Sequence, residues 1–337
     1  MVIPANRIIP EYPYHIVWIA TNACNARCVH CSTAAAKKLP GELETEEVKK
    51  LFTHLSSIGL FDVAISGGEP LTRPDLLEII WHMKSLGLKY GVGSNGSTIT
   101  KEKVRLLKEA GVSRLQISID GTEELHDLAR RWVGLYQKAR NAILLGVEGG
   151  LQVNVCMTLH KLNYKVLEDV VKSCIEWGVK KFNLSRFIPT GRGDQTLDLP
   201  KELWKEMIYT YQQLKERFAD RLEMTTHLSQ SILVDPDLNN CFGFNGCQAG
   251  IGQGCIGPTG DVSPCVMLPV TVGNIKEHSF AEIWSHSPLI QTLKTRKYLK
   301  KPCGSCAFVD KCGGCRAVAY AYTHDVLEAD GRCWLVN

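Results

Sequence analysis

The sequence predicts an α/β fold: a partial (β/α)6 TIM barrel followed by a smaller cysteine-rich domain. Three observations predict it. Six short runs rich in β-branched and aromatic residues alternate with six helix-like stretches between residues 15 and 218. Glycines stand where several of those stretches stop, and nine of the fourteen cysteines fall between 241 and 333.

Strands are expected at 15–21, 62–66, 89–94, 114–119, 152–158 and 181–186, each short and bounded by turn residues. Helices are expected at 45–58, 74–86, 101–110, 134–145, 166–177 and 201–218. The first begins at Thr45, with Glu46 and Glu47 in its first turn and Val48 and Leu51 behind them. Gly59, Gly87, Gly111, Gly146 and Gly178 follow helices, where a left-handed residue ends the last turn. Repeated strand–helix units give a parallel sheet with helices outside. A closed barrel takes eight units, so six predict an open one. The pattern breaks near 220, which divides the chain into a core at 1–220 and a second domain at 221–337. The second has a small apolar core and is expected to be organised around metal.

Composition narrows the function classes. The 337 residues are 45% hydrophobic and 22% charged, a globular balance. No apolar run is long enough to span a bilayer, and residues 1–10 carry no export signal. Clustered cysteines in metal-type spacings then point to a reducing cytoplasm rather than to disulfides. A net charge of +4 gives no reason to expect nucleic acid. Neither a nucleic-acid nor a membrane partner is expected.

The chemistry concentrates after the first strand, in Thr-Asn-Ala-Cys24-Asn-Ala-Arg-Cys28-Val-His-Cys31. Three thiolates at CxxxCxxC spacing can hold three irons of a 4Fe–4S cube and leave the fourth open to a ligand. Structural zinc prefers CxxC pairs and four ligands, and His30 is awkwardly placed between two of the cysteines. Ser66-Gly67-Gly68-Glu69-Pro70 ends the second strand; its glycines allow close backbone approach. Ser94-Asn95-Gly96 and Ser118-Ile119-Asp120-Gly121 end the third and fourth strands, where parallel barrels carry their chemistry. Asn154 and Ile188 are weaker candidates for the same face.

These motifs resemble the radical S-adenosylmethionine (SAM) superfamily. The resemblance implies that Cys24, Cys28 and Cys31 bind a catalytic 4Fe–4S cluster. It also implies that Gly67, Gly68, Glu69, Pro70, Ser94, Asn95 and Ser118 contact SAM, and that His30 lies beside the adenine. The C-terminal cysteines resemble a SPASM domain with two auxiliary 4Fe–4S clusters, making three in all. Carried over, Cys247, Cys255, Cys265 and Cys315 hold one, and Cys303, Cys306, Cys312 and Cys333 the other. The final CxxC departs from the CxxxC of many relatives. Cys156, Cys174 and Cys241 are left over, the first two at expected core positions.

The implied reaction reductively cleaves SAM to a 5′-deoxyadenosyl radical, which abstracts hydrogen from substrate; the auxiliary clusters accept an electron. A reduced ferredoxin or flavodoxin-type donor is expected. The run from Cys312 to Cys333, with Cys265-Val-Met-Leu-Pro, Val272-Gly-Asn-Ile and Glu282-Ile-Trp, resembles members that make haem by the alternative and nitrite-reductase routes. The same motifs recur in peptide maturases such as the mycofactocin enzyme. The expected substrate is therefore an iron tetrapyrrole propionate, with a ribosomal peptide as the alternative. Only about twenty residues precede the cluster motif, so a peptide enzyme would need a separate recognition protein. Arg186 and Arg192, at the mouth of the sixth strand, are candidates to grip a carboxylate by paired hydrogen bonds. A non-catalytic redox sensor is the remote alternative; it would have no use for the SAM-binding motif.

Overall fold

The structure is a computed structural model that describes residues 9–239 and 246–336; Cys241 lies outside them. Six parallel strands run in sequence order: β1 (His15–Ile19), β2 (Asp62–Ser66), β3 (Lys89–Ser94), β4 (Arg114–Ser118), β5 (Val153–Leu159) and β6 (Lys181–Arg186). The helices between them are α1 (Thr45–Ser57), α2 (Leu76–Ser85), α3 (Lys101–Glu109), α4 (Glu123–Arg130), α5 (Leu135–Glu148) and α6 (Leu167–Glu176). α7 (Lys201–Arg217) follows β6.

Alternation along each strand sorts side chains between two faces. Ile16, Trp18, Val63 and Ile65 join the large core beneath the helices, where Trp18 meets Phe52 edge to face at 5.3 Å. Val17 and Ile19 face the other way and pack with Ala64 and Cys255. That inner face is the lumen of the open barrel.

Both edges of the sheet are extended by the chain beyond residue 220. β7 (Glu223–Thr226) pairs parallel with β6, and β8 (Gln253–Ile256) pairs parallel with β1. β9 (Asp261–Ser263) and β10 (Gly273–Asn274) continue outward from β8 antiparallel, giving one open ten-stranded sheet. α8 (Phe280–His286), α9 (Pro288–Thr295) and α10 (Arg316–Thr323) complete the C-terminal region.

Two local expectations are corrected. α5 runs through Gly146 to Glu148, and the left-handed residue beyond it is Gly150, at φ +72°. Gly146 is instead a contact glycine, since a Cβ there would stand 2.7 Å from Val153 on β5. α4 adds a short helix to the six expected and ends in left-handed Arg131 at φ +51°. The other four expected glycines, at 59, 87, 111 and 178, all have positive φ.

Candidate active site

Cys24, Cys28 and Cys31 lie on a loop folded over the carboxyl end of β1. The loop is closed by Cys24 N–H to Ala36 O and Ala36 N–H to Asn22 O. The glycine motif after β2 binds its underside: Gly68 N–H donates to Thr21 O and Glu69 N–H to Ala23 O, each at 2.8 Å. A Cβ on Gly68 would stand 2.2 Å from Ala23 O and 2.9 Å from Cys24 Cβ. One on Gly67 would stand 2.7 Å from Thr21 O. Both glycines are thus required by contact with the cysteine loop itself.

Glu69 is fully buried. Its carboxylate accepts from Ser94 Oγ at 2.9 Å, Asn95 N–H at 2.8 Å and Leu71 N–H at 3.3 Å. Burial still pushes its pKa up against those hydrogen bonds. Asn95 Nδ2 donates to Asn25 Oδ1, Asn25 Nδ2 to Ser97 Oγ, and Ser97 N–H to Asn95 Oδ1. Ser94 and Asn95 therefore orient Glu69 and the cysteine loop. Ser118, half-buried, makes no side-chain hydrogen bond among the described residues.

Arg130, which belongs to no sequence motif, joins Asp120 and His30 in a charged cluster beside these thiols. Arg130 pairs with buried Asp120 at 2.7 Å and approaches Cys28 Sγ at 3.8 Å. His30 Nε2 lies 3.3 Å from the same carboxylate, and its ring lies tilted by 34° against His160, centroids 5.1 Å apart. Burial opposes ionisation of Asp120, but Arg130 and His30 hold its carboxyl well below the usual range. Burial raises Cys28 and Cys24. At Cys31 the Thr33 and Ala35 hydrogen bonds outweigh burial and lower the thiol pKa. Asp120 and Arg130 are ten residues apart across a turn and a helix, a spacing that forms no local motif.

Neither candidate arginine stands free at the barrel mouth. Arg192 straps the cysteine loop, donating from Nε to Cys28 O at 2.9 Å and from Nη2 to Ala35 O at 2.8 Å. Arg186 is buried over the Trp204 ring at 4.7 Å, with Nη1 3.4 Å from Asp330 Oδ2. The face of β6 that carries Leu184 and Arg186 turns toward α7 rather than into the lumen. Nε and Nη2 of Arg186 are buried without a protein partner. Asn154, on the lumen side of β5, is buried with its Oδ1 likewise unpartnered, and Ile188 packs with Leu268 and Val318.

In the C-terminal region, Cys303, Cys306, Cys312 and Cys333 line one cavity of about 210 Å³, walled by Phe308, Val309 and Leu335. Of the other four cysteines, Cys265 and Cys315 pack against one apolar cluster with Leu268 and Val318. Cys265 interacts electrostatically with Cys247 and Cys255, and Cys315 with Cys247. Burial pushes Cys255, Cys265 and Cys312 up to about 12, and raises Cys315 further, against the Arg186 guanidinium. Asp330 lies between the two groups and accepts from Cys315 N–H at 3.0 Å and Gln230 Nε2 at 2.8 Å. Among the described residues no three His, Cys, Asp or Glu side chains converge on a single-ion position. A four-iron cube spreads its thiolates over separate irons and asks for a wider cage. The thirteen described cysteines are all free, and Cys156 and Cys174 are the two outside these groups; burial raises Cys156 to about 11 and Cys174 further.

Known proteins resemble this chain along most of its length. The radical SAM superfamily matches residues 18–174, and the SPASM iron–sulfur cluster-binding domain matches residues 247–307. The AdoMet-dependent heme synthase of Methanosarcina barkeri is 32% identical, over 95% of this chain and 96% of its own. The chain belongs to the radical SAM superfamily. It is a radical SAM/SPASM enzyme, and that class uses SAM with 4Fe–4S clusters. Mycofactocin maturase MftC of Mycobacterium tuberculosis is 31% identical, over 95% of this chain and 84% of its own. The crystal structure of Streptococcus suis SuiB bound to S-adenosylmethionine shares the fold, with a TM-score of 0.81 at 19% identity, covering 97% of this chain and 78% of that one. No helix among the described residues is long and apolar enough to cross a membrane.

Proposed function

We propose that this radical SAM enzyme oxidatively decarboxylates propionate side chains of an iron tetrapyrrole in haem biosynthesis. The observation that carries the reading is the end-to-end likeness to a heme synthase, at 32% identity over 95% of the chain.

Cys24, Cys28 and Cys31 would hold the SAM-binding cluster. Cys247, Cys255, Cys265 and Cys315 would hold one auxiliary cluster, and Cys303, Cys306, Cys312 and Cys333 the other. The fit is supported by the cavity that all four of the last set line, and by the orphaned guanidinium N–H groups of Arg186, whose charge acts on Cys315. When bound, these groups supply one hydrogen-atom abstraction and one electron acceptor, the combination that turns a propionate into a vinyl group as carbon dioxide leaves. Glu69, fixed by Ser94 and Asn95, is positioned to receive the SAM ammonium group, and Ser118 offers a free hydroxyl at the same rim. Arg192 and the Asn25–Asn95 pair hold the cysteine loop in place, and Arg130 neutralises charge beside Cys28. The expected electron donor is a reduced ferredoxin or flavodoxin, and the free cysteines support a reducing cytoplasm as its setting. The likeness to a mycofactocin maturase at 31% identity supports a peptide as the second reading, with a separate recognition protein.

The test is anaerobic. Reconstituted enzyme should hold about twelve irons for three clusters. With reductant, SAM and iron-coproporphyrin III, carbon dioxide and vinyl-bearing porphyrin should rise together. An unchanged porphyrin beside slow, porphyrin-independent 5′-deoxyadenosine would overturn the tetrapyrrole reading and favour a peptide.

A further inference from the structure

One cavity lies between the two candidate cluster regions and is accounted for by neither. It measures about 190 Å³. One wall is Pro189 and Thr190, from the loop after β6. The next residues of that loop are bound to the cysteine motif: Arg192 N–H donates to Cys31 O at 2.9 Å, and a Cβ on Gly191 would stand 2.5 Å from the same oxygen. The opposite wall is one face of α10, where Ala317, Tyr320, Ala321 and His324 recur at the i, i+3, i+4, i+7 spacing of a helical stripe. Met267 closes the third side.

Both far walls begin at cysteines of one proposed auxiliary set. Cys315 is the N-cap of α10, and Met267 follows Cys265 by two residues. A substrate in this cavity would therefore touch elements bound to the SAM-site loop on one side and to an auxiliary site on the other. A reaction that removes a hydrogen atom and then an electron needs a substrate that reaches both sites.

The wall chemistry is specific. Ala317 and Ala321 keep the α10 wall low and apolar. His324 is exposed at the rim, its imidazole makes no hydrogen bond among the described residues, and its ring meets Tyr320 edge to face at 5.8 Å. Imidazole and thioether are the usual protein axial ligands of porphyrin iron, and His324 and Met267 share this cavity. Resting on the tetrapyrrole reading above, we infer that the iron tetrapyrrole lies across the mouth of this cavity. His324 ligates its iron, Met267 is the opposing soft donor, and a propionate-bearing edge points inward.

The experiment titrates iron(III)-coproporphyrin III into oxidised holoenzyme and reads the Soret band and the ferric EPR signal. His324 has φ +58°, a conformation glycine adopts without strain, so His324→Gly removes the imidazole while leaving the backbone at ease. Wild type should give a low-spin ferric signal. His324→Gly should lose it and regain it with added imidazole, and Met267→Leu should shift it. Identical spectra in wild type and His324→Gly, with porphyrin bound in both, would overturn the ligand assignment and leave the tetrapyrrole reading standing. Failure of wild type to bind the porphyrin would overturn both.

Discussion

At the scale of single residues, Gly68 ties the Gly-Gly-Glu-Pro motif to the cysteine loop, because any Cβ there collides with Ala23 O and Cys24 Cβ. Gly68→Ala should cost about 1–3 kcal/mol by overpacking. It should also strip the first site, lowering iron by about four per chain while the auxiliary irons stay. Urea unfolding and iron analysis check this, and full iron content with normal SAM cleavage would contradict it. Arg192→Ala removes two hydrogen bonds from a charged donor to loop carbonyls, each worth about 1.5–3 kcal/mol. SAM cleavage without substrate should fall as far as cleavage with it. A loss confined to substrate KM would return Arg192 to the carboxylate-gripping role that its loop position suggested. The cysteines, GGEP, Ser94 and Asn95 were legible in sequence because each motif is local. The burial of Arg186 and the Asp120–Arg130 pair were not, since both depend on partners brought together only by the fold.

At the scale of elements, the amino ends of β1, β2 and β4 are joined by one carboxylate. Asp62 accepts two hydrogen bonds from Arg114, at 2.7 and 2.8 Å, and pairs with His15 Nδ1 at 2.7 Å. Burial opposes its ionisation, but these partners lower its pKa from 3.8 to about 2. A carboxyl depressed in this way stabilises the fold fully above its unfolded pKa and ceases to as pH falls through the folded one; the shift corresponds to roughly 2 kcal/mol at neutral pH. The stability gap between wild type and Asp62→Asn should therefore be constant above about pH 5 and shrink toward pH 2. A gap independent of pH across that window, measured by urea midpoints, would refute the assignment. The six βα units were readable because β-branched runs, helical stretches and terminal glycines recur along the chain. α5 overran its expected stop because Gly146 serves a contact with Val153, which no local pattern distinguishes from a cap.

At the scale of the whole molecule, the C-terminal region is bound into the barrel's sheet. β8 covers the edge of β1, with His15 opposite Gln253 and Trp18 opposite Ile256. That pairing spans more than two hundred residues of sequence, so the open barrel was foreseeable and the ten-stranded sheet was not. A chain truncated after residue 239 should leave β1 as a bare apolar edge, which invites aggregation. Size-exclusion of the truncated chain checks this, and a soluble, cooperatively unfolding monomer would contradict it. The same pairing brings Cys255 beside Val17 and Ile19 on the lumen face, so the auxiliary region meets the barrel interior. The most direct test of the proposed reaction follows a hydrogen atom. Iron-coproporphyrin III deuterated at the ring-attached propionate carbons is incubated with reduced holoenzyme and SAM, and the 5′-deoxyadenosine is weighed by mass spectrometry. The account predicts one deuterium in each 5′-deoxyadenosine formed with a carbon dioxide; unlabelled 5′-deoxyadenosine beside an intact porphyrin would contradict it.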